Sequence, residues 1–414
     1  MQFRPNPKVA LCLTATLLSS AAQAAVFSYP QALAAAHTAA PGLAARSLKI
    51  ESARAAAQAA GRLPDPKIGF AVENFPVSGR YAGRPNLDDF SDVRVGFSQE
   101  VPSSAKRQAQ RDRARSDITA AEAARSLESR DLRLGTALAW INLYYAERRL
   151  SALDGLLASL APLWKSAPAS IAAGEVRPAQ TLETGKSRAD LEDRRDELQA
   201  AAGRARAELS RWTGDPEADV TGPPPGFEVD PRLLKSSIAR LPNLATADAA
   251  RLQAVANVGL ARAAKRPDWG LDFGYQHRDP RFGDMVSVGV TMSLPLFAAN
   301  RQDPIIAAEL AAAGQADAER EAIRRDLVAQ LEAGLADHAM HHAQWRRATE
   351  ILTPLARQRV DLETASYAAG RADLSDLVQA FGALANAQLT LMDREAAVSA
   401  DTARLVLTFG DDAP

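Results

Sequence analysis

Four short stretches of the chain alternate between apolar residues and polar or small ones. In 67–74, Ile68, Phe70 and Val72 alternate with Gly69, Ala71 and Glu73. In 92–101, Val93, Val95, Phe97 and Val101 alternate with Arg94, Gly96, Ser98 and Glu100. In 268–276, Trp269, Leu271, Phe273 and Tyr275 alternate with Asp268, Gly270, Asp272, Gly274 and Gln276. In 286–294, Val286, Val288, Val290, Met292 and Leu294 alternate with Ser287, Gly289, Thr291 and Ser293. Period two predicts strands that are apolar on one side only. Their roughly 8–10 residues approach the length of a tilted membrane strand. The loops between them, about 75–91 and 277–285, are rich in Gly, Pro, Asp and Arg.

Helical patterns surround these strands. Segments 31–61 and 231–264 are Ala-rich and read as helices. Segment 104–161 has almost no helix breaker before Pro162, which predicts a helix roughly 85–90 Å long. Segment 304–353 is similar, up to Pro354. Turns near 167–177 and 367–373 lead into return helices over 178–212 and 373–408. Dense charge in 106–133 and 183–211 suits the wet face of a long coiled coil.

The two halves repeat each other. Pro41-Gly42-Leu43-Ala44 recurs as Pro242-Asn243-Leu244-Ala245, at an offset of 201. Val95-Gly96-Phe97-Ser98 with Val101-Pro102 recurs as Val288-Gly289-Val290-Thr291 with Leu294-Pro295, at 193. Ser170-Ile171-Ala172-Ala173-Gly174 recurs as Ser366-Tyr367-Ala368-Ala369-Gly370, at 196. Three matched blocks in one order predict an internal duplication. The first unit, helix-strand-strand-long helix-helix, spans 25–212. A Pro/Gly linker spans 213–230, the second unit 231–410 and a tail 411–414.

Composition agrees with close-packed helices. Of 414 residues 87 are alanine, while aromatics make up only 6%. Small side chains let helix backbones approach closely. Arg4 and Lys8, the short apolar run Val9–Leu18 and the Ala22-Gln23-Ala24 site predict a signal peptide over 1–24. The formal net charge of −1 argues against nucleic-acid binding. Cys12 is the only cysteine, so no disulfide framework or thiolate cluster is expected. The residues before it do not suit lipid attachment. No later segment reaches 18 apolar residues, so no transmembrane helix is expected.

Four strands do not close a barrel. In lipid, an open sheet edge leaves backbone groups unpaired at several kcal/mol each. The strands therefore belong either to a soluble sheet or to a barrel shared by several chains. Export without a membrane helix, and the small or polar side of every strand, favour sharing. Three copies would give 12 strands around a water-filled passage.

The sequence resembles the outer-membrane factor family, the TolC-like exit ducts of tripartite efflux systems. The resemblance is carried by the duplicated Pro-x-Leu-Ala, by Val95–Pro102 with Lys106-Arg107, by Val288–Phe297 with Asn300-Arg301, and by the motifs at Gly174 and Gly370. It implies a mixed α/β membrane protein: four β-strands per chain in a homotrimeric, 12-stranded outer-membrane barrel, with long coiled-coil hairpins forming a periplasmic tunnel. It implies a Gram-negative cell, a periplasmic adaptor (membrane fusion protein), an inner-membrane transporter of RND type, contact with outer-membrane lipid and no catalysis. No cofactor and no resident metal are expected.

Further implications concern the periplasmic tip. Gly174, Glu175 and Val176, and Gly370, Arg371 and Ala372, match turns that meet the adaptor, their glycines permitting close backbone approach. Asp376 matches a pore-constriction carboxylate. The next such position holds Gln379, and Asp373 substitutes in part. Tyr367 and Arg371 match positions that hold the tip closed. The stretch from Pro64 to Gly79 most resembles members serving heavy-metal efflux, and passive conduction of metal cations is the leading expectation. Drug or organic-solute efflux and type I secretion remain alternatives within the class. A soluble periplasmic coiled-coil adaptor is the alternative outside it.

Two tempting signals lead elsewhere. Thr184-Gly185-Lys186-Ser187 ends like a phosphate loop but lacks the earlier glycine that such a loop requires. His338, His341 and His342 have helical spacing that could hold a divalent ion, but read as surface histidines beside Trp345 on a coiled coil.

Overall fold

The computed structural model describes residues 26–172, 178–226 and 228–410. Its elements run β1 (Val26–Phe27), α1 (Tyr29–Ala39), α2 (Pro41–Ala59), β2 (Lys67–Glu73), β3 (Asp92–Val101), α3 (Ser104–Ala172) and α4 (Pro178–Thr213). Then follow β4 (Asp219–Val220), α5 (Pro231–Ser237), α6 (Pro242–Ala263), β5 (Trp269–His277), β6 (Met285–Met292), α7 (Gln302–Arg347), α8 (Thr353–Ala368) and α9 (Leu374–Phe409). At 69 residues, α3 is about 100 Å long. Among the described residues, no helix is long and apolar enough to cross a membrane.

The four long strands form one antiparallel sheet in the order β2-β3-β5-β6. Its central pairing, β3 with β5, joins the two halves of the chain through contacts such as Phe97 opposite Phe273. Loops of polar and Gly-rich sequence join β2 to β3 and β5 to β6. In the second, Asp284 accepts from His277 Nδ1 at 2.9 Å and from the Tyr275 hydroxyl.

The helices pack beside and beyond this sheet. Trp140, Ile141, Leu143 and Tyr145 of α3 are fully buried with Leu209 of α4 and Ala403 of α9. Farther along α3, Leu153, Leu156 and Leu160 meet Leu198, Ala385 and Leu389. A separate cluster ties Leu234, Leu241 and Leu244 to Leu327, Leu331, Leu405 and Phe409. These seams are narrow because about half of the helix positions are alanine or charged. Cross-helix ion pairs line their margins: Arg54–Glu122 at 2.8 Å, Arg195–Asp154 at 2.6 Å and Lys235–Glu332 at 2.7 Å. Each exposed pair contributes only about 0.2–1 kcal/mol, so they select register more than they stabilise.

Three features depart from the sequence reading. First, α3 does not stop at Pro162 but continues to Ala172. Proline removes one helical hydrogen bond and bends a helix without necessarily ending it. Second, α7 passes into α8 through a π-helical turn, Ala348–Leu352. A wide turn ahead of Pro354 relieves the clash between the proline ring and the carbonyl one turn earlier. Third, a two-stranded parallel pair, β1 with β4, sets Val26 opposite Asp219. Trp140 Nε1 donates to the Phe27 carbonyl at 2.9 Å and holds that pair on the helical core.

Candidate functional site

The sheet has two chemically distinct faces. Its register aligns the apolar residues into continuous rows across all four strands. Phe70, Val95, Tyr275 and Val286 form one row, and Ile68, Phe97, Phe273 and Val288 the next. Phe70 is 78% exposed and Val288 77%. A contiguous exposed apolar surface of this size marks a membrane or partner interface. Within the described residues, the outer edges of β2 and β6 have no partner strand.

The opposite face is polar and thin. Arg94 donates to Glu73 at 3.0 Å and Lys67 to Glu100 at 2.7 Å. Gly69, Gly96, Gly274 and Ser287 share one row across the sheet. A Cβ at Gly274 would come within 2.6 Å of Ser287 Oγ and 2.9 Å of Arg94 Nε. The absent side chain thus lets the Arg94 guanidinium lie flat along the sheet.

The sheet is tied to the helices through Asp268. Its Oδ1 accepts from the Ser103 backbone N–H at 2.7 Å, and its Oδ2 from Lys106 Nζ at 2.7 Å. Ser103 Oγ in turn accepts from the Lys106 backbone N–H at 3.3 Å, the geometry of a helix N-cap for α3. Lys106, singled out in the sequence motif, therefore joins the second half's β5 to the first half's α3.

At the far end, the α8–α9 turn carries the predicted tip residues. Helix α8 ends in a Schellman motif: Gly370 N–H donates to Tyr367 O at 3.0 Å and Arg371 N–H to Ser366 O at 2.9 Å. Gly370 has φ +69°, and a Cβ there would meet nothing within 4 Å. The turn uses its left-handed backbone, which a residue with a side chain rarely adopts. Asp373 and Asp376 form a capping box at the start of α9, in which Asp376 Oδ2 accepts from the Asp373 N–H at 3.2 Å. Both aspartates, Arg371 and Gln379 are exposed, and Ala372 is half-buried. Tyr367 packs against Leu374 and Val378, which closes the turn from within. Gly174, Glu175 and Val176 lie outside the described residues.

One titratable cluster escaped the sequence reading. Burial and a hydrogen bond to Asp219 push the Glu147 carboxyl up to about 7, although Arg206 opposes this. Glu147 lies on α3, Arg206 on α4 and Asp219 on β4, so only the tertiary structure assembles the group.

Residues 233–411 match the family described as "Outer membrane efflux protein". The second half of the chain thus carries a domain of that family. No curated protein sequence matches the chain. Solved structures share the fold over 92% of this chain. The outer membrane channel CmeC of Campylobacter jejuni has a TM-score of 0.79 at 13% identity, with 85% of its own chain covered. The outer membrane protein VceC of Vibrio cholerae has 0.76 at 20%, with 96% covered. The open-state MtrE outer membrane channel of Neisseria gonorrhoeae has 0.74 at 15%, with 88% covered.

Proposed function

We propose that this chain is the outer-membrane exit duct of a tripartite efflux pump and conducts its cargo passively. Three copies close one 12-stranded barrel, each supplying β2-β3-β5-β6, with the apolar rows toward lipid and the Arg94–Glu73 side toward the lumen. The long helices of the three chains form the periplasmic tunnel. Its units are the repeats 25–212 and 231–410 joined by the linker 213–230, after loss of the leader 1–24. The observation that carries this reading is the four-stranded sheet with an exposed apolar face and two unpartnered edges, because backbone groups in lipid must be paired.

The tip turns meet a periplasmic adaptor through Gly174, Glu175 and Val176 and through Gly370, Arg371 and Ala372. An RND-type inner-membrane transporter supplies the energy, and the duct itself performs no catalysis. Asp373 and Asp376 place carboxylates where three chains would converge, with Tyr367 and Arg371 holding that end closed. A ring of acidic side chains favours cations. The cargo is a heavy-metal cation, supported by the resemblance of the stretch from Pro64 to Gly79.

Fractionation of cells expressing the chain tests the duct. It is expected in the outer membrane as a detergent-extracted trimer, and recovery as a soluble periplasmic monomer would overturn the reading in favour of an adaptor. Deletion of the gene should lower tolerance to at least one of zinc, cobalt, cadmium and copper. Unchanged metal tolerance with increased drug sensitivity would reassign the cargo to organic solutes.

A further inference from the structure

We propose that His338 and His342 of α7 form a two-histidine binding site for a borderline transition-metal dication such as Zn2+ or Cu2+. The site concerns binding rather than cargo, and a duct for organic solutes would carry it equally.

The two imidazoles stand one helical turn apart, where side chains on a helix are neighbours. Their ring centroids lie 6.1 Å apart at an interplanar angle of 52°. An imidazole holds an ion roughly 3 Å from its ring centre once a bond of about 2.0–2.1 Å is added, so one ion bridges both rings after a small closing rotation. Both side chains are half-buried, within reach of solvent but restrained by packing. His342 meets Trp345 edge-on, with centroids 5.3 Å apart, which limits the swing of its ring.

The neighbouring helix α9 sets the tautomer of His338. Thr402 Oγ1 lies 3.5 Å from His338 Nδ1 and 2.8 Å from the Val398 carbonyl. A hydroxyl has one proton. With that proton given to Val398, Thr402 can only accept from His338, so Nδ1 carries the ring hydrogen. Nε2 is then the unprotonated nitrogen with a lone pair for a metal.

His341 takes another part. Its Nδ1 sits 2.6 Å from Asp401 Oδ2, on a carboxylate that also faces Arg404 at 3.3 Å. The described residues contain no cluster of three or more His, Cys, Asp or Glu side chains that could hold a metal. Two protein ligands therefore leave open coordination positions for water, which makes the site an exchanging one rather than a structural centre. Hard cations that want oxygen ligands, Mg2+ and Ca2+, do not fit an imidazole pair.

Calorimetric titration of the detergent-solubilised full chain with Zn2+ and with Cu2+ tests the proposal. One ion per chain is expected, Cu2+ the tighter, with no competition from Mg2+ or Ca2+. His338→Gln and His342→Gln should each weaken Zn2+ binding by at least about tenfold, while His341→Gln leaves it unchanged. Thr402→Val keeps both imidazoles and removes the acceptor that orients one, and should lower affinity by about tenfold. Circular dichroism establishes that each variant is folded. Should a histidine variant misfold, Thr402→Val decides alone. Affinity unchanged in the folded variants, or abolished by His341→Gln instead, would overturn the assignment.

Discussion

Single residues divide into those whose role follows from their type and those whose role follows from their neighbours. Gly370 belongs to the first kind, since a small residue between two helical patterns announces a turn, and its φ of +69° is the conformation a Schellman cap needs. Glu147 belongs to the second. It reads as one more charge on a charged helix, yet burial and Asp219 hold its carboxyl near 7. A carboxyl raised in the folded state favours the protonated native form. The stability it confers is full below the unfolded value of about 4.5 and is lost as pH rises through about 7. Glu147→Gln mimics the protonated form. Thermal melts should show it more stable than the parent at pH 8, by about 1 kcal/mol after allowance for solvent screening, and equal to it at pH 5. A parent more stable than the variant at pH 8 would mean that the Arg206 bridge dominates.

Elements were legible wherever local pattern and tertiary demand coincide. The strands follow the alternation closely: β3 spans the predicted 92–101, while β5 and β6 shift by a residue or two at their ends. The helix ends at proline were less legible. Pro162 lies inside α3, and Pro354 follows a π-turn that no periodicity announces. Packing of neighbouring helices stabilises a long helix enough to absorb one missing hydrogen bond, and that energy is invisible to local propensity. At the start of α9 Asp376 is a helix cap, and the proposed duct would give it a second role as a pore charge. Asp376→Asn keeps an oxygen for the Asp373 N–H and removes the charge. Its melting temperature should match the parent, and its cation selectivity in planar bilayers should fall. Unchanged selectivity would leave Asp376 a capping residue only.

At the scale of the whole molecule, the sheet decides the behaviour of the chain. Val288 stands in an apolar row opposite Phe273 and is largely exposed. In the proposed barrel a lysine there would face lipid, at about 2–4 kcal/mol near the bilayer midplane. Val288→Lys should therefore reduce the yield of folded trimer in outer membranes, while Ser98→Lys on the polar side is tolerated. Gel analysis of unheated membrane extracts reads the difference, and equal yields would argue against lipid on the apolar face.

The order of the four long strands, their two faces, the long helices and the outer-membrane factor resemblance were legible in the sequence, because each depends on patterns within single segments. The pairing of β3 with β5, the Asp268 tie between halves, the Glu147–Arg206–Asp219 group and the Thr402 hydroxyl beside His338 were decided only in three dimensions. Each joins residues more than fifty positions apart, and the free energy that brings such residues together comes from packing between elements rather than from any pattern within one.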